Sequence, residues 1–195
     1  MDIIITIIII IIIDFRRKTT PITPLLINDQ AVEMVESFKF LGTTISSSLK
    51  WETNTNTIIG KCHQRMYFLR QLRKFRMSAE IMTQFYRAVI ESILTFSLTV
   101  WYSSTTQEER DRLEGVVRTA SRIIGDDLPS VESIFHKRAR RKALKIQSDP
   151  SHPACYLFER LPSGRRLRSI KTRTRRFASS FFPSAVQLVT ADCGR

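Results

Sequence analysis

TQEERDRLEGVVRTASRIIG, residues Thr106–Gly125, reads as an amphipathic helix with both ends written into it. Thr106 is an N-cap residue, and Gln107, Glu108 and Glu109 place polar and acidic groups at the positive helix end. Leu113, Val116, Val117, Ala120, Ile123 and Ile124 fall on one side and form the stripe to be buried. Gly125 stops the helix as a left-handed C′ residue.

The same pattern extends in both directions. Upstream, Ile58, Cys62, Met66, Leu69 and Leu72 recur at steps of four, four, three and three, which predicts a helix over Asn56–Phe75. Arg65 and Arg73 lie at the margin of that stripe, and Lys61, Arg70 and Lys74 make the other face basic. Ser78 caps a second helix carrying Ile81, Met82, Phe85, Val89, Ile93, Phe96 and Val100, apolar enough to be the central core element. Downstream, Ser130 caps a fourth helix with Val131, Ile134 and Phe135 inward, which runs through Lys137–Lys145 until Asp149-Pro150-Ser151-His152-Pro153 breaks it. Tyr156–Leu161 adds a short apolar helix.

The start of the chain is different. Met1–Ile13, MDIIITIIIIIII, is low-complexity isoleucine, shorter than the about 20 residues of a membrane span. It lacks a basic n-region and a small-residue cleavage site, which argues against a secretory signal. An uncharged β-branched run of this kind invites self-association through the poly-Ile segment. Leu25–Ile27 and Val32–Leu41 read as two strands around the turn Asn28-Asp29-Gln30, with Gly42 ending the second and Ser46-Ser47-Ser48 a loop.

The expected architecture is mainly α: a three- to four-helix bundle preceded by a small β-hairpin, with a basic, partly disordered C-terminal tail. Its expected segments are 1–24 (low-complexity start and linker), 25–48 (hairpin), 54–148 (helical bundle) and 149–195 (basic tail).

Charge points to a partner. The net charge is +13, and between Lys137 and Arg176 stand fourteen Lys or Arg against two acids, Asp149 and Glu159. A coat that only solvates would be spread evenly; this excess is concentrated, as polyanion binding requires. Arg165, Arg166, Arg168, Lys171, Arg173, Arg175 and Arg176 are followed by Phe177, Phe181 and Phe182, which joins phosphate pairing to ring stacking. The plainer alternative is a solvated tail with its phenylalanines tucked against the core. Lys39, Arg70, Lys74, Arg140 and Arg141 complete the candidate nucleic-acid-binding set, and Pro162–Arg176 is expected to order only on a partner.

Catalytic chemistry is harder to build. His63, His136 and His152 stand in no HxD or HExxH arrangement, and His152 with Cys155 makes only an isolated pair. Gly125-Asp126-Asp127 looks like a polymerase carboxylate pair, but it follows a helix end and precedes Pro129 instead of lying on a hairpin between apolar strands. The scattered glycines form no phosphate loop. Cys62, Cys155 and Cys193 imply no disulfide framework and fit a reducing compartment. The expectation is therefore no catalytic residue, no metal, no cofactor and no small-molecule substrate. The expected partner is RNA or an RNA–DNA hybrid, in an intracellular setting, nuclear or cytoplasmic, with membrane association not expected.

A set of motifs adds a resemblance. DFRRK (Asp14–Lys18), PLLIN (Pro24–Asn28), VEMVESFKFLGTTIS (Val32–Ser46), LKWETN (Leu49–Asn54), QRMYFLRQLRKF (Gln64–Phe75), QFYRAVIESILTFSLTVWY (Gln84–Tyr102), RTASRIIG (Arg118–Gly125), DPSHPACYLFERLPSGRRLRSI (Asp149–Ile170) and SFFPSAV (Ser180–Val186) together resemble the C-terminal end of LINE-type, non-LTR retrotransposon reverse transcriptases. That resemblance implies that FKFLG (Phe38–Gly42) corresponds to a primer-gripping hairpin and the helices after it to the thumb that holds an RNA–DNA hybrid. It also implies that the catalytic aspartates lie upstream and that polymerase activity is excluded. Asp126 departs from the family's usual residue, and that departure alone creates the polymerase-like triplet. The same segment is similar to what is labelled the N-terminal domain of AlkB homologue eight, a tRNA wobble-uridine methyltransferase and 2-oxoglutarate-dependent oxygenase. That label would imply methyl transfer or oxidation on nucleic acid, for which the motifs above supply no ligand set. A decayed open reading frame without function is the third reading.

Overall fold

A computed structural model of the chain describes residues 11–16, 23–162, 164 and 166–192. Most of the poly-Ile run, the Thr19–Pro21 part of the linker, Arg165 and Cys193 lie outside the described residues. The chain divides into two units, Met1–Asn54 and Thr55–Arg195.

Among the described residues, the first unit has three two-stranded pairs. β1 (Ile11–Ile12) runs parallel to β4 (Glu33–Met34), and β2 (Leu26–Ile27) is antiparallel to β3 (Gln30–Ala31). Asn28 and Asp29 make the two-residue turn between β2 and β3 at φ 50° and 59°, which their short polar side chains tolerate. β5 (Ser37–Phe40) pairs with β6 (Thr43–Ser46) through Leu41 and Gly42, both at positive φ.

The continuous strand expected over Val32–Leu41 is thus divided, because the chain changes partners. Val35 N donates to Ile12 O beside β1, whereas Phe38 and Phe40 register against Ile45 and Thr43. Gly42 turns the chain into β6, a strand absent from the sequence reading. The same unit closes with Thr44 N donating to Asn54 Oδ1 at 3.1 Å.

The second unit is helical. It comprises most of α1 (Glu52–Lys74), then α2 (Ala79–Phe85), a π turn (Tyr86–Glu91), α3 (Ser92–Leu94), α4 (Leu98–Trp101) and a 3₁₀ turn (Tyr102–Ser104). There follow α5 (Gln107–Ile124), α6 (Val131–Gln147), a 3₁₀ turn (Cys155–Phe158), α7 (Arg175–Ala178) and α8 (Phe181–Asp192). The protein is mainly helical with a small β element, as its periodicity implied.

The two ends of α1 have different causes. It begins four residues before Asn56: the β-branched and polar Thr53–Thr57 run reads as a poor helix start, yet Asn54 and Thr55 are buried, so packing overrides propensity. It ends where Arg76 takes φ 56° while Met77 N donates to Leu72 O and Arg76 N to Arg73 O, a Schellman closure without glycine.

The second helical run corrects the sequence reading. Met82, Tyr86, Ile90, Leu94, Leu98 and Trp101 are buried, whereas Ile81, Phe96 and Val100 are exposed and Phe85, Val89 and Ile93 only half-buried. The expected stripe is displaced to the neighbouring face. From Met82 to Leu98 the buried positions step by four, and a 3.6-residue helix drifts by about 40° at each such step. The π turn, with its wider i→i+5 spacing, winds the face back. The run then breaks at Ser97, φ 48°, where Trp101 Nε1 donates to the Phe96 carbonyl at 2.9 Å.

α5 and α6 follow the sequence closely. Thr106 and Glu109 form a reciprocal capping box, Gly125 sits at φ 83°, and Ser130 Oγ accepts from Ser133 N. Leu113, Val116, Val117, Ala120 and Ile124 are buried, with Ile123 half-buried.

Beyond α6 the chain forms a second small core. Ala143, Ile146, Phe158, Leu167, Ala185, Val186 and Val189 pack together, with Phe181 and Phe182 against them. α8, which the sequence reading did not place, supplies half of it. The expected Tyr156–Leu161 helix is reduced to the single 3₁₀ turn, with Tyr156 and Leu161 exposed. Within Pro162–Arg176, Leu167 is buried and pairs with Arg160 in an isolated antiparallel bridge, and Ile170 packs against the same core, so apolar side chains anchor this basic stretch.

Candidate nucleic-acid interface

Most of the chain's excess charge lies on α6 and within residues 160–176, the stretch whose Leu167 joins the small core of α6, the Cys155–Phe158 turn and α8. Of the fourteen Lys or Arg between Lys137 and Arg176, twelve are exposed; Arg138 is half-buried and Arg165 lies outside the described residues. On α6 the buried positions Val131, Phe135, Ala139, Ala143 and Ile146 fix the opposite side as solvent-facing, and Lys137, Arg140, Arg141 and Lys145 lie there. Arg166, Arg168, Lys171 and Arg173 are exposed in the segment leading to α7, and Arg175 and Arg176 are exposed on α7 itself. The backbone here is pinned: Leu161 N donates to Arg166 O and Arg168 N to Glu159 O, each at 2.8 Å. Exposed guanidinium groups thus stand beside hydrogen-bonded backbone on both sides of Leu167.

The phenylalanines after the tract divide. Phe177 is exposed, while Phe181 and Phe182 pack edge-to-face at 5.3 Å against the small core, and Lys142 Nζ stands 5.3 Å from the Phe181 ring centre. Two of the three rings first assigned to stacking are thus mostly structural, as the plainer reading of this segment had it.

Other candidate residues are elsewhere. Arg70 and Lys74 are exposed on α1, and Lys39 is exposed on β5, opposite Thr44, in the first unit. The sequence reading missed Tyr67, Phe68 and Phe75, which share the outer surface of α1 with Arg70 and Lys74. Their signal was available: all three fall outside the Ile58-Cys62-Met66-Leu69 stripe.

Arg138 has a separate task. Its guanidinium Nη1 donates to the Thr95 carbonyl at 2.6 Å, satisfying backbone where the second helical run breaks. Arg110 likewise lies 5.0 Å from the Tyr102 ring centre and donates to Ser103 O, so its charge is used inside the fold.

The groups that resembled chemistry occupy turns. Asp126 and Asp127 are exposed after Gly125, with Asp127 N donating to Asp126 Oδ1. An open depression of about 380 Å³ beside them is lined by Glu114, Arg118, Arg122 and Asp127 among others. His152 Nδ1 accepts from Ala154 N within the break after α6. Cys62 is fully buried, and burial pushes its thiol up to about 12. Among the described residues no three His, Cys, Asp or Glu side chains gather as a metal site, and no helix is long and apolar enough to cross a membrane.

The described residues form a mainly helical module with twelve exposed Lys and Arg on α6 and within residues 160–176. Residues 51–92, from Trp51 through α1 to the start of α3, match the family model described as alkylated DNA repair protein alkB homolog 8, N-terminal. No curated protein and no solved structure matches the chain.

Proposed function

We propose that this chain is a nucleic-acid-binding module of the alkB homolog 8 N-terminal type, and that it binds without performing catalysis itself. The observation that carries the reading is the concentration of exposed Lys and Arg on and after α6, held on one small apolar core. Backbone phosphates are the complementary ligand, and such contacts position a nucleic acid without reading its sequence. Arg138 and Arg110 are tied to carbonyls of the fold and stand outside this surface.

The family match favours the alkB label over a retrotransposon thumb, and no matched family or protein supports the reverse-transcriptase likeness. Both readings share a nucleic-acid ligand. They part over chemistry: an oxygenase or methyltransferase must bind iron(II) or S-adenosylmethionine, whereas a binding module need not. Calorimetric titration with each separates them, and the binding reading expects no heat from either.

The principal test is binding of the full chain to single-stranded RNA, an RNA–DNA hybrid and duplex DNA across a salt series. A variant with Arg166, Arg168, Arg173, Arg175 and Arg176 changed to Gln serves as comparison. Affinity that falls steeply with salt in the parent, with a shallower slope by up to about 0.9 per lost duplex phosphate contact in the variant, supports the reading. A folded parent that binds none of the three at low salt overturns it.

A further inference from the structure

The outward surface of α1 combines bare rings with positive charge. Tyr67 and Phe68 are each 56% exposed, with ring centres 5.5 Å apart and planes at 77°; Phe75 is 72% exposed. At three- and four-residue spacing, His63, Tyr67, Arg70 and Lys74 form one ridge, and Gln64, Phe68, Gln71 and Phe75 form the next. Between Glu52 and Glu80 there is no acidic residue, while Lys61, Arg65, Arg70, Arg73, Lys74 and Arg76 supply six cations. The opposite side of the helix, Ile58, Ile59, Cys62, Met66 and Leu69, is buried and accounts for none of these rings.

Charge complementarity selects the occupant. The exposed cations Arg70, Arg73, Lys74 and Arg76, with no carboxylate among them, call for a polyanion, and exposed ring faces and edges call for flat apolar surface within it. A duplex buries its base faces in its own stack, but an unpaired strand offers them beside its phosphates. We infer that this surface is a stacking platform for unpaired bases of single-stranded RNA or DNA, with Tyr67 and Phe68 meeting bases and Arg70 and Lys74 meeting the adjoining phosphates. The inference rests on the nucleic-acid reading above and adds a preference that the C-terminal charges alone do not provide.

The test compares the full-length parent with a Tyr67→Ala/Phe68→Ala variant, using labelled oligo-uridine, oligo-deoxythymidine and a blunt duplex. Loss of about tenfold or more on the single strands, with duplex affinity unchanged, is the expected result. An equal loss on duplex, or no loss on the single strands, overturns the platform. Thermal melting of the variant checks its fold, and a Phe68→Trp variant gives a readout that does not depend on truncation. Its fluorescence is expected to be quenched by oligo-uridine and not by duplex; no quenching overturns the inference. Binding to phosphatidylserine vesicles that depends on Tyr67 and Phe68, without strand binding that does, assigns the surface to lipid and likewise overturns it. A parent that binds no nucleic acid removes the broader reading as well, whereas a parent that binds every strand regardless of Tyr67 and Phe68 removes only this one.

Discussion

Thr55 Oγ1 donates to Glu109 Oε1 at 3.1 Å, joining α1 to the first turn of α5 across 54 residues of sequence. The other carboxylate oxygen, Oε2, accepts from Thr106 N at 2.7 Å and from Thr106 Oγ1 at 3.0 Å. One buried acid therefore completes a capping box and anchors a neighbouring helix. Glu109→Ala removes both roles and is expected to cost about 2–3 kcal/mol in urea unfolding, while Glu109→Gln, which keeps an acceptor, costs about 1 kcal/mol. Equal costs for the two would contradict the shared use of the carboxylate.

The displaced stripe in the second helical run separates two residues that look alike in sequence. Leu94 is completely buried and Phe96 is 48% exposed. Leu94→Ala is expected to destabilise by about 2–5 kcal/mol, and Phe96→Ser to stay within about 0.5 kcal/mol. Chemical denaturation of both variants checks this, and the reverse order would restore the face expected from periodicity alone.

Alkaline pH should loosen the fold. Burial raises the Cys62 thiol from its ordinary 9.0 to about 12 and the Tyr102 hydroxyl from 10.0 to about 12, and it pushes Tyr86 upward as well. Each group favours its neutral form when folded. The stability this gives is complete below the ordinary values and is lost as pH rises from about 9 toward 12. Melting temperature should therefore fall through that window. In parallel, Cys62 should resist iodoacetamide near neutral pH until denaturant is added, whereas the partly exposed Cys155 reacts in the native state. Mass spectrometry of the labelled peptides distinguishes the two.

Arg138 and Arg141 stand one helical turn apart on α6 with different work. Arg138→Met removes the hydrogen bond to Thr95 O and is expected to cost about 1.5–3 kcal/mol of stability with little change in the salt dependence of binding. Arg141→Gln, at an exposed position, should do the opposite: leave the melt unchanged and flatten the salt slope by up to about 0.9 on a duplex.

Helices with strong local signals were legible. Thr106, Gly125 and Ser130 fix the ends of α5 and the start of α6 because caps act through neighbouring backbone, which a sequence displays directly. What depended on distant partners was hidden. The early start of α1 rests on the burial of Asn54 and Thr55, the division of the strand at Glu36 on competition between β1 and β6, and α8 on a core drawn from Ala143, Phe158 and Leu167. At the candidate interface the arginines could be named from their clustering, because charge density needs no fold to be counted. The role of Arg138 required the carbonyl that faces it, and the platform on α1 required knowing which rings remain outside.

The π turn at Tyr86–Glu91 is, in effect, a spare residue stored inside a helix. Removing one exposed position within it, Ala88 for instance, would leave Met82, Tyr86, Ile90 and Leu94 at steps of four, three and four, the spacing an ordinary α-helix keeps on one face. The same deletion at Arg118 of α5 would swing every later side chain by about 100° and turn Ala120 and Ile124 out of the core. This stretch of the chain can thus change length by one residue without changing what it buries.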